Sequence, residues 1–133
     1  KTIEWDTHGD NDKGHRDKLC PSFDQACSTL LEDLDQRGLL ESTVVIAMGE
    51  FGRTPHINPK AGRDHWPQCW SLALGGGGIQ GGQVIGASDS EGGYVADRMI
   101  TMGDIYATIY KAFGIDWEKT CQSSLFLFQH LMI

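Results

Sequence analysis

Residues 44–55, VVIAMGEFGRTP, decide the fold. The first five, Val44 to Met48, form an unbroken apolar run without the alternation of a half-exposed strand. A run of this kind is expected of a strand covered on both faces. Upstream, Pro21 suits the first turn of a helix. Phe23, Cys27, Leu30, Leu31 and Leu34 then recur at helical spacing, and Gly38 suits the stop. Before that helix, residues 2–6 read as a short strand, because Ile3 and Trp5 alternate with polar neighbours. Strand, helix and buried strand in that order form the βαβ signature of a parallel sheet. The fold class expected is therefore α/β.

Working outward, a polar loop is expected from the end of the first strand to about Leu19. Residues 49–69 read as a long loop with Pro55, Pro59 and Pro67. Loops of that length inside a domain are usually functional or mobile. Trp70 to Leu74 is another apolar stretch, ended by four glycines, Gly75 to Gly78. Gln83 to Gly86 reads as a short strand, and residues 87–98 as surface loop. Thr101 can cap a helix through Ile105, Ile109, Tyr110 and Phe113 that stops at Gly114. The tail after Thr120 is apolar without a clear period. No internal repeat or domain linker is visible, and 133 residues suit one domain.

Composition narrows the function. The chain has 11 Lys+Arg against 18 Asp+Glu, a formal net charge of -7. That argues against non-specific nucleic-acid binding, which needs a basic face. It does not exclude a small anionic substrate, since a bound metal reverses the local sign. No run of 18 apolar residues spans a membrane. No signal peptide is visible; the first residue is Lys, so a true N-terminus, with any export signal, is expected upstream. The four cysteines, Cys20, Cys27, Cys69 and Cys121, contain no C-x-x-C pair, which rules against a zinc ribbon or a thioredoxin motif. Cys27 fits the apolar face of its helix better than a ligand position.

In open parallel sheets, ligands bind beyond the carboxyl ends of the strands. Asp6 and His8 fall just past the first strand, and Glu50 just past the buried one. Asp64 and His65 follow in the long loop that leaves the same edge. Carboxylate plus imidazole is a ligand set suited to zinc, manganese or iron. The competing reading is solvated loop polars, and for Asp10, Asp12 and His15 that reading is preferred. Arg53 and Arg63 flank the acidic residues and could hold phosphate or sulfate oxygens. Equally, each could be a surface arginine paired with a carboxylate.

Two motif matches are discounted. Gly76, Gly78 and Gly81 satisfy G-x-G-x-x-G, but a dinucleotide site needs a helix next, and the following residues read as strand and turn. Asp6, His8, Asp10, Asp12 and Asp17 fall on calcium-loop positions, but Asn11 replaces the turn glycine and Asp17 the closing glutamate.

WDTHGDN (5–11), MGEFGRTP (48–55) and GRDHWP (62–67), in that order, resemble domain-of-unknown-function family 1501, a large bacterial family. GGGGIQGGQVIGASD (75–89) and DIYATIYKAFGID (104–116) resemble it too, so the likeness runs from about residue 3 to 119. That family looks like a branch of the alkaline-phosphatase-like superfamily, with the sulfatases. The resemblance implies a doubly wound, mostly parallel α/β sheet, of which residues 1–120 would be the C-terminal part and 121–133 a tail of uncertain structure. It also implies a two-metal site loaded with a divalent ion such as zinc, manganese or calcium. Asp6, His8 and His65 match the places of one metal's ligands. The second metal's Asp-His pair corresponds here to Glu50 and Phe51, of which only Glu50 can ligate, so Asp64 becomes a substitute ligand. The superfamily nucleophile is expected upstream of Lys1. The implied function is a metal-dependent hydrolase of phosphate or sulfate esters, with this chain an inactive fragment of it. The alternative is a non-catalytic binding or surface protein that keeps a metal for stability.

Overall fold

In a computed structural model of the protein, residues 4–118 are described. The expected tail, with Cys121, lies outside them. The described chain mixes helix and strand. A helical rod opens it: a short helix α1 (Asn11–Gly14), a π-helical segment (His15–Leu19) and α2 (Cys20–Gln36) follow one another without a break. A 3-10 turn (Leu40–Ser42) leads into β1 (Val44–Ala47), then β2 (Gly52–Arg53), β3 (His65–Trp66), β4 (Ala73–Gly76), β5 (Ala87–Ser88), β6 (Val95–Asp97) and α3 (Met102–Ala112).

The helices stand largely where periodicity and caps put them. Pro21 lies in the first turn of α2, and Gly38 turns the chain just past its end, where its N–H bonds the Asp35 carbonyl. Thr101 caps α3 in a reciprocal box: its hydroxyl accepts from the Asp104 N–H at 3.2 Å, and the Asp104 carboxylate accepts from the Thr101 N–H at 2.8 Å. The polar loop expected up to Leu19 is instead helical from Asn11. The sequence NDKGHRDKL has weak helical propensity. Tertiary contacts override it: the N–H groups of Asp10 and Asn11 bond the carbonyls of Lys60 and Ala61, and the buried Asn11 amide donates to Thr7 Oγ1 at 2.6 Å. These bonds anchor the helix start on a neighbouring loop.

The strands depart further from expectation. Residues 4–6 are not strand, while 1–3 lie outside the described residues. The N–H of Thr7 bonds the Trp5 carbonyl, and that of His8 bonds the Asp6 carbonyl. These two-residue turns consume groups that a strand would offer to a neighbour. β1 is a strand as expected, but it is half-buried rather than enclosed. It pairs antiparallel with β4, with Val44 opposite Gly76 and Ala47 opposite Ala73. The parallel βαβ unit is thus not found among the described residues, where all three strand pairs, β1–β4, β2–β3 and β5–β6, are antiparallel. An apolar run signals coverage but carries no information about the direction of its partner.

The expected strand at Gln83–Gly86 is irregular; β5 begins one residue later and forms a hairpin with β6, inside the stretch expected to be loop. Gly76, Gly77 and Gly78 have φ of 71°, 58° and 76° and form a turn with no helix after it, so the discounted dinucleotide motif is a turn. A Cβ on Gly76 would lie 2.1 Å from the Thr43 carbonyl oxygen, so β4 can close on β1 only with glycine there. The calcium-loop match is also excluded, since residues 11–19 are helical.

Among the described residues, the buried apolar side chains are Leu19 and Ile105, and the buried polar ones are Thr7 and Asn11. Phe23, Leu30 and Leu31 on α2 are exposed, although Phe23 meets the edge of the Trp5 ring at 6.0 Å. Cys20, Cys27 and Cys69 are free thiols, and Cys27 is half-buried on its helix.

Candidate metal centre

Two loops meet to build the site. The first runs from Trp5 to Asp10. The second connects β2 to β3 and carries Thr54 to Asp64. The Arg63 N–H bonds the Thr7 carbonyl, and the Lys60 and Ala61 carbonyls accept from Asp10 and Asn11. Gly62 is buried at this seam. A Cβ there would lie 2.1 Å from the His8 carbonyl carbon and 2.2 Å from its oxygen. Glycine is what allows the second loop to approach His8 this closely.

The β2–β3 register places Arg53 directly opposite His65. Cross-strand partners share one face of a sheet, and both side chains reach Asp6. His65 Nε2 lies 2.8 Å from Asp6 Oδ1, and Arg53 Nη2 donates to the same oxygen at 2.5 Å. His8 Nε2 lies 3.1 Å from Asp6 Oδ1 and 3.2 Å from His65 Nε2. Asp6 Oδ1 and the two Nε2 atoms therefore form a small triangle. Among the described residues this is the one group of three or more potential ligand side chains close enough to share an ion.

The chemistry of this donor set fits a divalent cation. His8 Nδ1 lies 2.7 Å from Asp64 Oδ1. A carboxylate only accepts, so Nδ1 carries the proton, and in that tautomer the Nε2 lone pair faces the triangle. A proton can bridge two corners of such a triangle; a cation can bridge all three. Metal–ligand bonds of 2.0–2.2 Å at tetrahedral angles separate ligand atoms by about 3.3–3.6 Å, so the observed edges of 2.8, 3.1 and 3.2 Å would open by a few tenths of an ångström to admit an ion. The side chains of His8, Asp6 and His65 are 43%, 52% and 47% exposed, so one side of the triangle faces solvent. Three protein ligands with an open position are typical of catalytic rather than closed structural sites.

Hydrogen bonds from His65 and Arg53 lower the Asp6 pKa to about 2. Asp6 is thus ionised throughout the neutral range. Asp64 is also shifted down, by its hydrogen bonds from His8 and Asn58.

Of the residues singled out in the sequence, Asp6, His8 and His65 converge. Asp64 sits behind His8, on the ring nitrogen facing away from the triangle, where it orients the imidazole. Glu50 is exposed and is not part of the converging group. Arg53 braces the site, donating also to the Trp5 and Arg63 carbonyls at 3.4 and 3.3 Å. Arg63 Nη1 donates to the carbonyls of Thr54 and Pro55 at 2.8 and 2.6 Å, which ties the second loop together. His15 lies apart, its Nδ1 2.9 Å from the Asn11 carbonyl. Two contributors went unread in the sequence. Phe51 packs its ring 4.3 Å from that of His65. Asn58 joins the second loop to His8 and Asp64. No local pattern distinguishes either role.

The model of a family described as proteins of unknown function (DUF1501) matches residues 1–131. The chain belongs to the DUF1501 family. No curated protein and no solved structure shows a significant match to it. In this DUF1501 member, the stretches WDTH (5–8) and GRDHW (62–66) meet where the two loops dock.

Proposed function

We propose that Asp6, His8 and His65 hold one divalent metal ion, and that this centre belongs to a hydrolase of phosphate or sulfate esters. The observation that carries the metal reading is the convergence of one carboxylate oxygen and two imidazole nitrogens within 3.2 Å of one another. A zinc or manganese ion bound there would act as a Lewis acid on an ester oxygen and lower the pKa of an attacking hydroxyl. The chain's own residues supply the rest. Asp64 keeps His8 in the tautomer that ligates. Arg53 adds a positive charge beside Asp6, where an anionic ester would approach. The hydrolytic reading rests on the resemblance to the alkaline-phosphatase-like superfamily, and with it the parallel sheet and a second metal at Glu50.

A second reading, a metal retained for stability in a binding protein, is favoured by one observation. The triangle would cross-link two segments that backbone hydrogen bonds and the Asn58, Asp64 and Arg53 side chains already bring together. Elemental analysis of the purified chain after zinc or manganese loading tests the centre; less than a small fraction of an equivalent bound would sink it. To separate the two readings, aryl phosphate and aryl sulfate turnover is compared for the metal-loaded chain and for its His65→Ala variant. Equal turnover rejects the hydrolase.

A further inference from the structure

We infer that Asn58 is a positioning residue for the metal centre, setting both the place of the His8 backbone and the direction of its ring; this rests on the metal reading proposed above. Asn58 stands in the second loop, six residues before Asp64 and fifty after His8 in sequence. Its amide orientation is unambiguous. Oδ1 accepts from the backbone N–H groups of Lys60 and Gly62, each at 3.0 Å, and neither of those groups can accept. Nδ2 is thereby turned toward two acceptors, the His8 carbonyl at 3.2 Å and Asp64 Oδ1 at 3.1 Å. Asp64 Oδ1 is the same atom that accepts the hydrogen bond of His8 Nδ1–H at 2.7 Å. The bonds close a ring: Asn58 to the His8 main chain, Asn58 to Asp64, and Asp64 to the His8 imidazole. One amide thus holds a ligand at its backbone and, through Asp64, at its ring.

The two ends of the side chain can be separated by mutation. In Asn58→Asp, one carboxylate oxygen can still accept from Lys60 and Gly62, so the turn is kept. The other oxygen then faces the His8 carbonyl and the Asp64 carboxylate, acceptor against acceptor, with a like charge added. A residue that only closed the turn would tolerate this change. A positioning residue would not.

The experiment is a zinc titration of the full 133-residue chain and of Asn58→Asp, Asn58→Ala and His8→Ala, with melting temperatures of the metal-free proteins and the long-range ¹⁵N signature of the His8 ring. Removing a partner behind a ligating histidine typically costs about 10-fold to 100-fold in metal affinity. For Asn58→Asp the expected result is a loss of about tenfold or more, a metal-free melting temperature near that of the unmodified chain, and a His8 ring no longer held purely in the Nδ1–H form. Asn58→Ala is expected to lose both affinity and melting temperature. Zinc affinity and ring signature unchanged in Asn58→Asp would overturn the positioning role while leaving the metal centre standing. An unmodified chain that binds zinc no better than His8→Ala would instead overturn the metal reading and this inference with it. The His8 ring signature, read without metal, distinguishes a displaced ring from a merely weakened turn.

Discussion

The seam between the two site loops and the exposed face of α2 are held in opposite ways. At the seam nearly every polar group has a named partner. Thr7 and Asn11 are buried and bonded to each other, Asn58 uses both ends of its amide, and Gly62 lies against the His8 main chain. On α2, by contrast, Phe23, Leu30 and Leu31 are apolar and exposed, and no residue of the helix is buried. Hydrogen bonds are directional and fix atoms in place; apolar contact is not directional. The seam is therefore built to set the positions of the three candidate ligand atoms, whereas the α2 face has only the right spacing.

The largest effect expected from this contrast lies at the ligands. His8→Ala or His65→Ala should abolish most metal binding, while His15→Ala and His56→Ala retain it, as measured by elemental analysis of the loaded proteins. Equal losses from all four would mean that the seam does not define the site. Next comes Gly62→Ala. The added carbon would sit 2.1 Å from a His8 main-chain atom, so one loop must move. Overpacking of this kind costs about 1–3 kcal/mol, and denaturant unfolding together with zinc affinity should show both a stability loss and a weakened centre. An alanine variant that melts and binds as the unmodified chain does would show that the seam is loose.

A smaller effect is expected at the start of α3, which is fixed by its cap as the seam is fixed by its bonds. Thr101→Ala should cost about 1 kcal/mol. Its pH dependence has a definite sign. Hydrogen bonds from the Thr101 hydroxyl and N–H hold the Asp104 pKa below its ordinary 3.8. A carboxyl with a lowered folded pKa contributes stability that is full above its unfolded value and lost as pH falls through its folded value. The melting-temperature gap between the unmodified chain and Thr101→Ala should be widest above about pH 5 and close in stronger acid. A gap that widens on acidification would contradict the capping box. Smallest of all, Leu30→Gln on the exposed face of α2 should change stability by less than about 0.5 kcal/mol. A large loss in that variant, measured by the same unfolding, would reveal that the face is covered in solution and would erase the contrast with the seam.

The sequence by itself determined the elements whose cause is local. Gly38 ended α2, Thr101 and Gly114 bound α3, and the apolar run from Val44 made a strand, because capping, backbone freedom and side-chain period act within a few residues. It also marked Asp6, His8 and His65, since metal chemistry admits few residue types and motif order singled these out. Only the tertiary structure decided the rest. The antiparallel partner of β1, the helix begun at Asn11 from a sequence poor in helical propensity, the separation of Glu50 from the cluster, the move of Asp64 behind His8, and the part taken by Asn58 all depend on groups far apart in the chain. Strand direction and hydrogen-bond partners are set when distant segments meet. Their energies belong to pairs of residues, and no single stretch of sequence contains both members.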